Sequence, residues 1–189
     1  IRENTRVVSA STIKVSILCC ALQDVMDGKL SLGQPLAIAP GDFCSDTEVF
    51  EPGYRQDGAS LWEMLYWMIV SSDNTATNTV ISLLGYDHVN QYCRAIGLTQ
   101  TSLQRKMLDF QAIAEGRNNY TSPADLYRVF SRLYHGEILN KPLREVAFDF
   151  LSRCRSTDAL QRYIPDAVTV LHKPGGLDHL NHDVGIFLT

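Results

Sequence analysis

Residues 9–28 run Ser9-Ala10-Ser11-Thr12-Ile13-Lys14-Val15-Ser16-Ile17-Leu18-Cys19-Cys20-Ala21-Leu22-Gln23-Asp24-Val25-Met26-Asp27-Gly28, and this stretch decides the fold. Ile13, Val15, Ile17, Leu18, Ala21, Leu22 and Val25 are apolar around nearly the whole circumference of a helix that Gly28 ends, and a helix apolar all round must be covered by other elements. The spacing predicts a central buried helix beginning after Ser11. Within it, adjacent Cys19 and Cys20 read as small apolar filler rather than a disulfide. Lys14 is the anomaly, because an idle charge on such a helix is costly. Ser11 precedes it by one turn, so a hydroxyl and an amine point to the same side. A serine hydroxyl is a poor nucleophile until something takes its proton, and a lysine in a partly desolvated pocket can do that. Taken alone the pair says little, since ordinary usage gives roughly one S-x-x-K per chain of this size.

Outward from that helix, residues 31–59 hold four of the chain's twelve glycines and three of its seven prolines and read as a long surface connection. Ser60 with Glu63 forms a capping box for a helix carrying Leu61, Leu65, Met68 and Ile69. A further helix covers about 75–84 and stops at Gly85, and Asp87 is expected to cap another that Gly97 closes. Ser122-Pro123 followed by Asp125 starts a helix that ends at Gly136, and Pro142 opens the last long one, with Leu143, Val146, Ala147, Phe150 and Leu151 on one face. Strands are expected only at the end. Residues 167–172 and 183–188 read as a hairpin, with Gly175-Gly176 and Asp178 as turn chemistry. No repeat, low-complexity tract or linker divides the chain.

The composition sets the class. With 189 residues, 45% hydrophobic, 20% charged and a formal charge of −4, the chain reads as a globular one, of one domain or of two small lobes sharing a core. Lys and Arg form no basic run, which argues against nucleic acid as a partner. The longest apolar stretch, 61–70, is broken by Glu63 and is far short of the roughly 20 residues a membrane helix needs. Five cysteines without C-x-x-C spacing suggest neither a zinc ribbon nor a redox motif. His179 and His182, beside Asp178 and Asp183, lack a third spaced ligand and read as turn residues, so no metal is expected. No cofactor is implied either. Asn119-Tyr120-Thr121 matches a glycosylation sequon by accident of composition. Trp62, Tyr66 and Trp67 are expected in the core.

Two further motifs follow Ser11 and Lys14 in chain order. Ser72-Asp73-Asn74 places a second hydroxyl and a side-chain amide where one helix hands over to the next, although all three residue types also favour helix caps. Lys173-Pro174-Gly175-Gly176 offers a fixed positive charge and glycines that let a ligand approach the backbone. S-x-x-K, then S-D-N, then a Lys-x-Gly strand, in this order, resembles the penicillin-recognising serine enzymes, and the class A β-lactamases among them. Asp27-Gly28-Lys29-Leu30, Gly97-Leu98-Thr99-Gln100-Thr101 and Asp183-Val184-Gly185-Ile186 are similar to that family as well, so the likeness covers nearly the whole chain.

The resemblance implies a two-lobed α/β fold, an all-helical lobe (about 31–160) beside an α/β lobe with an antiparallel sheet (1–30 and 161–189), forming one catalytic domain with its site in the groove between them. It implies a serine hydrolase that opens β-lactam amides or acts on cell-wall peptides, outside the cytoplasm. Ser11 would be the nucleophile, Lys14 its proton partner, and Ser72 the relay to the leaving nitrogen. Asn74 would hold the substrate amide, Lys173 with Gly175 would bind the substrate carboxylate, and Phe50 or Tyr54 would wall the site. The backbone N–H groups of Ser11 and Gly176 would form the oxyanion hole, each such donor contributing about 3 kcal/mol. Rival readings are a penicillin-binding sensor that stays acylated and a DD-peptidase or esterase.

Two departures from the family pattern bear on the chemistry. Pro174 replaces the usual threonine or serine of the third motif, removing a hydroxyl and a backbone donor. In the loop 103–111, Met107 stands where class A enzymes place the glutamate that activates water for deacylation, and Gln111 replaces a nearby asparagine. Asp109 would take over as base if the loop is rewound, with Arg105 in the same segment; otherwise deacylation is expected to be slow. Finally, the family sheet has five strands and this sequence supplies two, so the chain is expected to be incomplete at both ends, a further segment or a partner chain completing the sheet.

Overall fold

The computed structural model describes residues 2–45 and 48–189. A 3-10 turn at Ala10–Thr12 leads directly into helix α1 (Ile13–Met26). Every residue from Ile13 to Leu22 is buried, as an all-round apolar sequence requires. Around it pack α2 (Leu61–Val70), α3 (Asn74–Leu84), α4 (Tyr86–Ala95) and α7 (Lys141–Ser152). Helices α5 (Phe110–Ala114) and α6 (Pro123–His135) lie after the loop that follows α4.

The caps explain most boundaries. Ser60 Oγ accepts from Glu63 N at 3.2 Å, and Ser122 Oγ accepts from Asp125 N at 3.2 Å ahead of the Pro123 start. Asn140 Oδ1 accepts from Leu143 N, so α7 begins one residue before Pro142. Asp87 does not cap α4, contrary to expectation. Gly85, at φ +78°, both ends α3 and starts α4, so the chain turns without a spacer and Asp87 falls inside the first turn.

Strands are more numerous than the sequence suggested. β1 (Val7–Val8) pairs antiparallel with β4 (Tyr120–Thr121), and β2 (Pro35–Leu36) with β3 (Ala59–Ser60), inside and beside the segment read as a surface connection. Two-residue strands carry no periodicity, so only their partners reveal them. β5 (Thr169–Leu177) and β6 (Leu180–Leu188) form the expected hairpin, but its turn is Asp178-His179, and Gly175-Gly176 lie within β5. The hairpin packs on the 3-10 turn of Ser11 and on α7.

The aromatic cluster is also displaced from its expected place. Trp62 stacks on Tyr66 at 5.2 Å and both meet the edge of Phe150, yet Trp62 stays 40% exposed, so the cluster covers the α2–α7 seam at the surface. Phe50 is fully buried and Tyr54 is exposed.

Candidate active site

A cavity of about 1060 Å³ opens where the start of α1, the α2–α3 corner, the 105–119 loop and the tip of the β5–β6 hairpin meet. Ser11, Ser72, Asn74 and Gly176 line it together. Neither Phe50 nor Tyr54 reaches it.

Local backbone explains how two hydroxyls face one space. Ala10, just before Ser11, has φ +46°, and Ser72 has φ +59°; both are left-handed conformations that cost a non-glycine residue free energy and persist only where surrounding contacts impose them. At the α2–α3 corner the imposing residue is Asp73. Its Oδ1 accepts from Ala76 N at 2.8 Å, capping α3, and its Oδ2 accepts from Val49 N at 3.0 Å, tying the incoming segment to the corner. Of Ser72-Asp73-Asn74, Asp73 therefore carries the cap, while all three residues line the cavity.

Lys14 is fully buried, and its task is visible. Its Nζ donates to Ser72 O at 2.6 Å, Ser72 Oγ at 3.0 Å and Asn74 Oδ1 at 2.8 Å. This network joins the first motif to the second across more than fifty residues of sequence.

The third motif reaches the site from β5. Gly175 sits so close to the Ser11 turn that a Cβ there would lie 2.8 Å from Ser11 N and 3.0 Å from Thr12 N. Only glycine lets the strand approach this far. The next residue, Gly176, lines the cavity, whereas Lys173 lies behind its wall, fully buried, donating to Pro174 O at 3.0 Å. Burial pulls the Lys173 ammonium down to about 8, against smaller opposing effects of Cys154 and Asp183. Beside it, His172 Nδ1 bonds Asp183 Oδ1 at 3.0 Å, and its Nε2 is buried without a hydrogen-bond partner.

The 105–119 loop forms the opposite wall. Met107 lines the cavity, and its backbone is bracketed by Asn78, whose Oδ1 accepts from Met107 N at 2.7 Å and whose Nδ2 donates to Met107 O at 3.3 Å. Asp109 is not brought together with Ser11. Its carboxylate caps α5, accepting from Ala112 N at 2.9 Å, and faces a separate cavity of about 370 Å³ beside Cys44 and Asn78. Arg105 lines the main cavity, with its guanidinium bound to Asn118 Oδ1 at 2.8 and 3.0 Å and to Lys106 O at 2.9 Å; burial draws its pKa down. Asn119, of the sequon, is buried, and its Oδ1 accepts from the backbones of Gln104 and Arg105, so the folded chain offers no acceptor amide there. Sequence reading missed Asn78 and Asn119 as organisers, and of Asp73 it anticipated the helix cap but not the bond to Val49. Asp73 and Asn119 stood inside quoted motifs, but nothing in the sequence marks Asn78.

At the hairpin tip, His182 Nε2 lies 2.9 Å from Val8 O and Asp183 serves His172 and Leu160 N, so these residues hold the strand in place.

Known proteins share this architecture. A protein solved as PBP-A matches with a TM-score of 0.90 at 28% identity over 99% of this chain and 69% of its own. A mutant of it, solved as an acyl-enzyme complex with penicillin G, matches at 0.89. An ancestral class A β-lactamase (GNCA) gives 0.90 at 26% identity over all of this chain and 74% of its own. By sequence, a β-lactamase of Streptomyces cellulosae is 34% identical over 110 residues, 57% of this chain and 35% of the relative. Beta-lactamase FAR-1 of Nocardia farcinica (strain IFM 10152) is 29% identical over 136 residues, 70% of this chain and 44% of the relative. The chain thus spans less than half the length of these curated relatives. The two-lobed fold of the serine β-lactamases is the fold of this chain, and since the family model of the Beta-lactamase enzyme family matches residues 1–189, the chain belongs to that family.

Proposed function

We propose that this site is acylated on Ser11 by β-lactams and releases the acyl group slowly. The observation that carries the reading is the Lys14 network, which ties the residue one turn from Ser11 to Ser72 and Asn74 on the wall of the same cavity. Ser11 Oγ attacks the lactam carbonyl, and its proton travels through the Lys14–Ser72 pair to the leaving nitrogen. The N–H groups of Ser11 and Gly176 receive the developing oxyanion at the start of a helix, where backbone donors and the dipole favour negative charge. Asn74, with Oδ1 held by Lys14, presents its amide nitrogen as donor to a substrate carbonyl. Lys173, behind Gly176, supplies positive potential for the substrate carboxylate.

Release needs a water beside the ester and a base to take its proton, a contribution of typically 100- to 10,000-fold. Met107 can do neither, and Asp109 faces elsewhere. That favours a penicillin-binding behaviour over rapid hydrolysis, with the family's location outside the cytoplasm. Intact-mass measurement over time after mixing with penicillin reports both steps. A stoichiometric adduct that decays slowly and is lost in Ser11→Ala is expected; an adduct that persists in that variant, or maps to Ser72, overturns the assignment.

A further inference from the structure

On α1, Cys20 and Asp24 stand four residues apart and therefore on one face. His88, from the first turn of α4, meets that face where the two helices pack. The Cys20 sulfur, an Asp24 carboxylate oxygen and a His88 ring nitrogen all lie within 4.8 Å of one another. Cys20 and Asp24 are 1% and 5% exposed, whereas the His88 side chain is 39% exposed, so the group is walled by protein on one side and open to solvent on the other. His88 Nε2 is 2.7 Å from Asp24 Oδ2. The other carboxylate oxygen accepts from Lys29 Nζ at 3.0 Å, and Lys29 keeps a second partner in Asp27 at 3.0 Å. Displaced from Asp24, its ammonium still has a carboxylate.

We propose that Cys20, Asp24 and His88 form a binding site for a divalent cation of the zinc class, with a water in the fourth position. Thiolate, imidazole and carboxylate are the donor types zinc takes, and three protein ligands from two helices leave a tetrahedral position toward the open side. This departs from the sequence expectation of no metal and of Cys20 as filler. That expectation looked for spaced motifs in turns, whereas these ligands come from two helices 64 residues apart. The charges close. The cation replaces the Cys20 thiol proton, which leaves to solvent, and His88 keeps its proton on Nδ1 so that Nε2 offers its lone pair. One thiolate and one carboxylate then cancel the two charges of the ion. Cys20 lies six residues along α1 from Lys14, about 9 Å at the helical rise, so a bound ion would pin the helix that carries Lys14 to α4.

The test is a titration of chelator-treated protein with Co²⁺, followed by displacement with Zn²⁺. One equivalent of cobalt should bind with a thiolate-to-metal charge-transfer absorption and the intense visible bands of a tetrahedral site, and zinc should abolish both. His88→Ala, at a half-open position, should weaken binding about 100-fold and Cys20→Ala should remove the charge-transfer band. Zinc at 100 times its Kd should raise the Tm of the native protein by about 5 °C or more and leave that of His88→Ala unmoved. Absence of binding, a cobalt spectrum without thiolate character, or a spectrum unchanged in His88→Ala, as binding by Cys19, Cys93 or the other cysteines would give, overturns the proposal. Should Cys20→Ala fail to fold, the His88 variant alone decides.

Discussion

At the scale of single residues, Lys173 couples burial to chemistry. Its ammonium is held down to about 8, well below an ordinary lysine, because the strand and α7 strip it of water. The sign follows from linkage. Between about 8 and 10.5 the unfolded chain binds a proton the folded one does not, so stability should rise with pH across that window. Acylation should move the other way. Above about pH 8 the free protein loses the charge proposed to attract the substrate carboxylate, and on that proposal the second-order acylation rate should fall roughly tenfold per pH unit. A β-lactam esterified at its carboxylate should show no such fall; an identical profile for acid and ester would remove Lys173 from carboxylate binding. Gly175 gives a sharper test. Alanine there places a methyl 2.8 Å from Ser11 N, forcing the strand away from the Ser11 turn. Gly175→Ala should acylate at least about 100-fold more slowly while keeping its helical circular dichroism, since one misplaced oxyanion donor is worth that much.

On the proposed reading, the element that decides the fate of the acyl group is the 105–119 loop. Met107→Glu should speed release by about 100-fold or more, because the residue lines the cavity at a place Asn78 fixes from both sides. Asp109→Asn should leave release unchanged, as asparagine caps α5 nearly as well as aspartate; slower release in that variant would make Asp109 the base after all. Time-resolved intact mass reads both. Legibility in the sequence divides along this line. The helices were plain because caps and 3.6-residue spacing are local, as at Ser60, Ser122 and α1. The short pairs β1–β4 and β2–β3 were not, because two residues carry no period and their meaning lies in partners over twenty residues away. Ser11, Lys14, Ser72, Asn74 and Gly176 were singled out by motif, and four of them line one cavity. The roles of Asn78 and Asn119, and the bond from Asp73 to Val49, were hidden, since a side chain that grips distant backbone looks like any polar residue in the sequence.

For the whole molecule, the weak point is β6. Among the described residues β5 is the only strand that pairs with this nine-residue strand, and Val184, Ile186 and Leu188 are only partly covered. Between β6 and α6 lies a cavity of about 570 Å³ lined by Tyr127, Phe130, Tyr134, Val184 and Ile186. A long, partly apolar strand edge is a template for another strand, and a two-stranded ribbon is marginal by itself. We therefore predict that a further strand, from a longer version of the chain or from a partner, pairs along β6 and closes this cavity. The body of the fold does not need it, because α1 is already enclosed by α2, α3, α4 and α7. Loss of the strand should therefore act on the hairpin, and through Gly175 and Gly176 on the proposed oxyanion donors, before it acts on the helices. The 189 residues alone should self-associate at micromolar concentration, with fast amide exchange in β6 and slow exchange in α1. Replacing Ile186 and Leu188 by lysine should suppress the association without restoring protection of β6. A monodisperse, cooperatively melting monomer whose β6 amides exchange as slowly as those of α1 would show that the hairpin is complete as it stands.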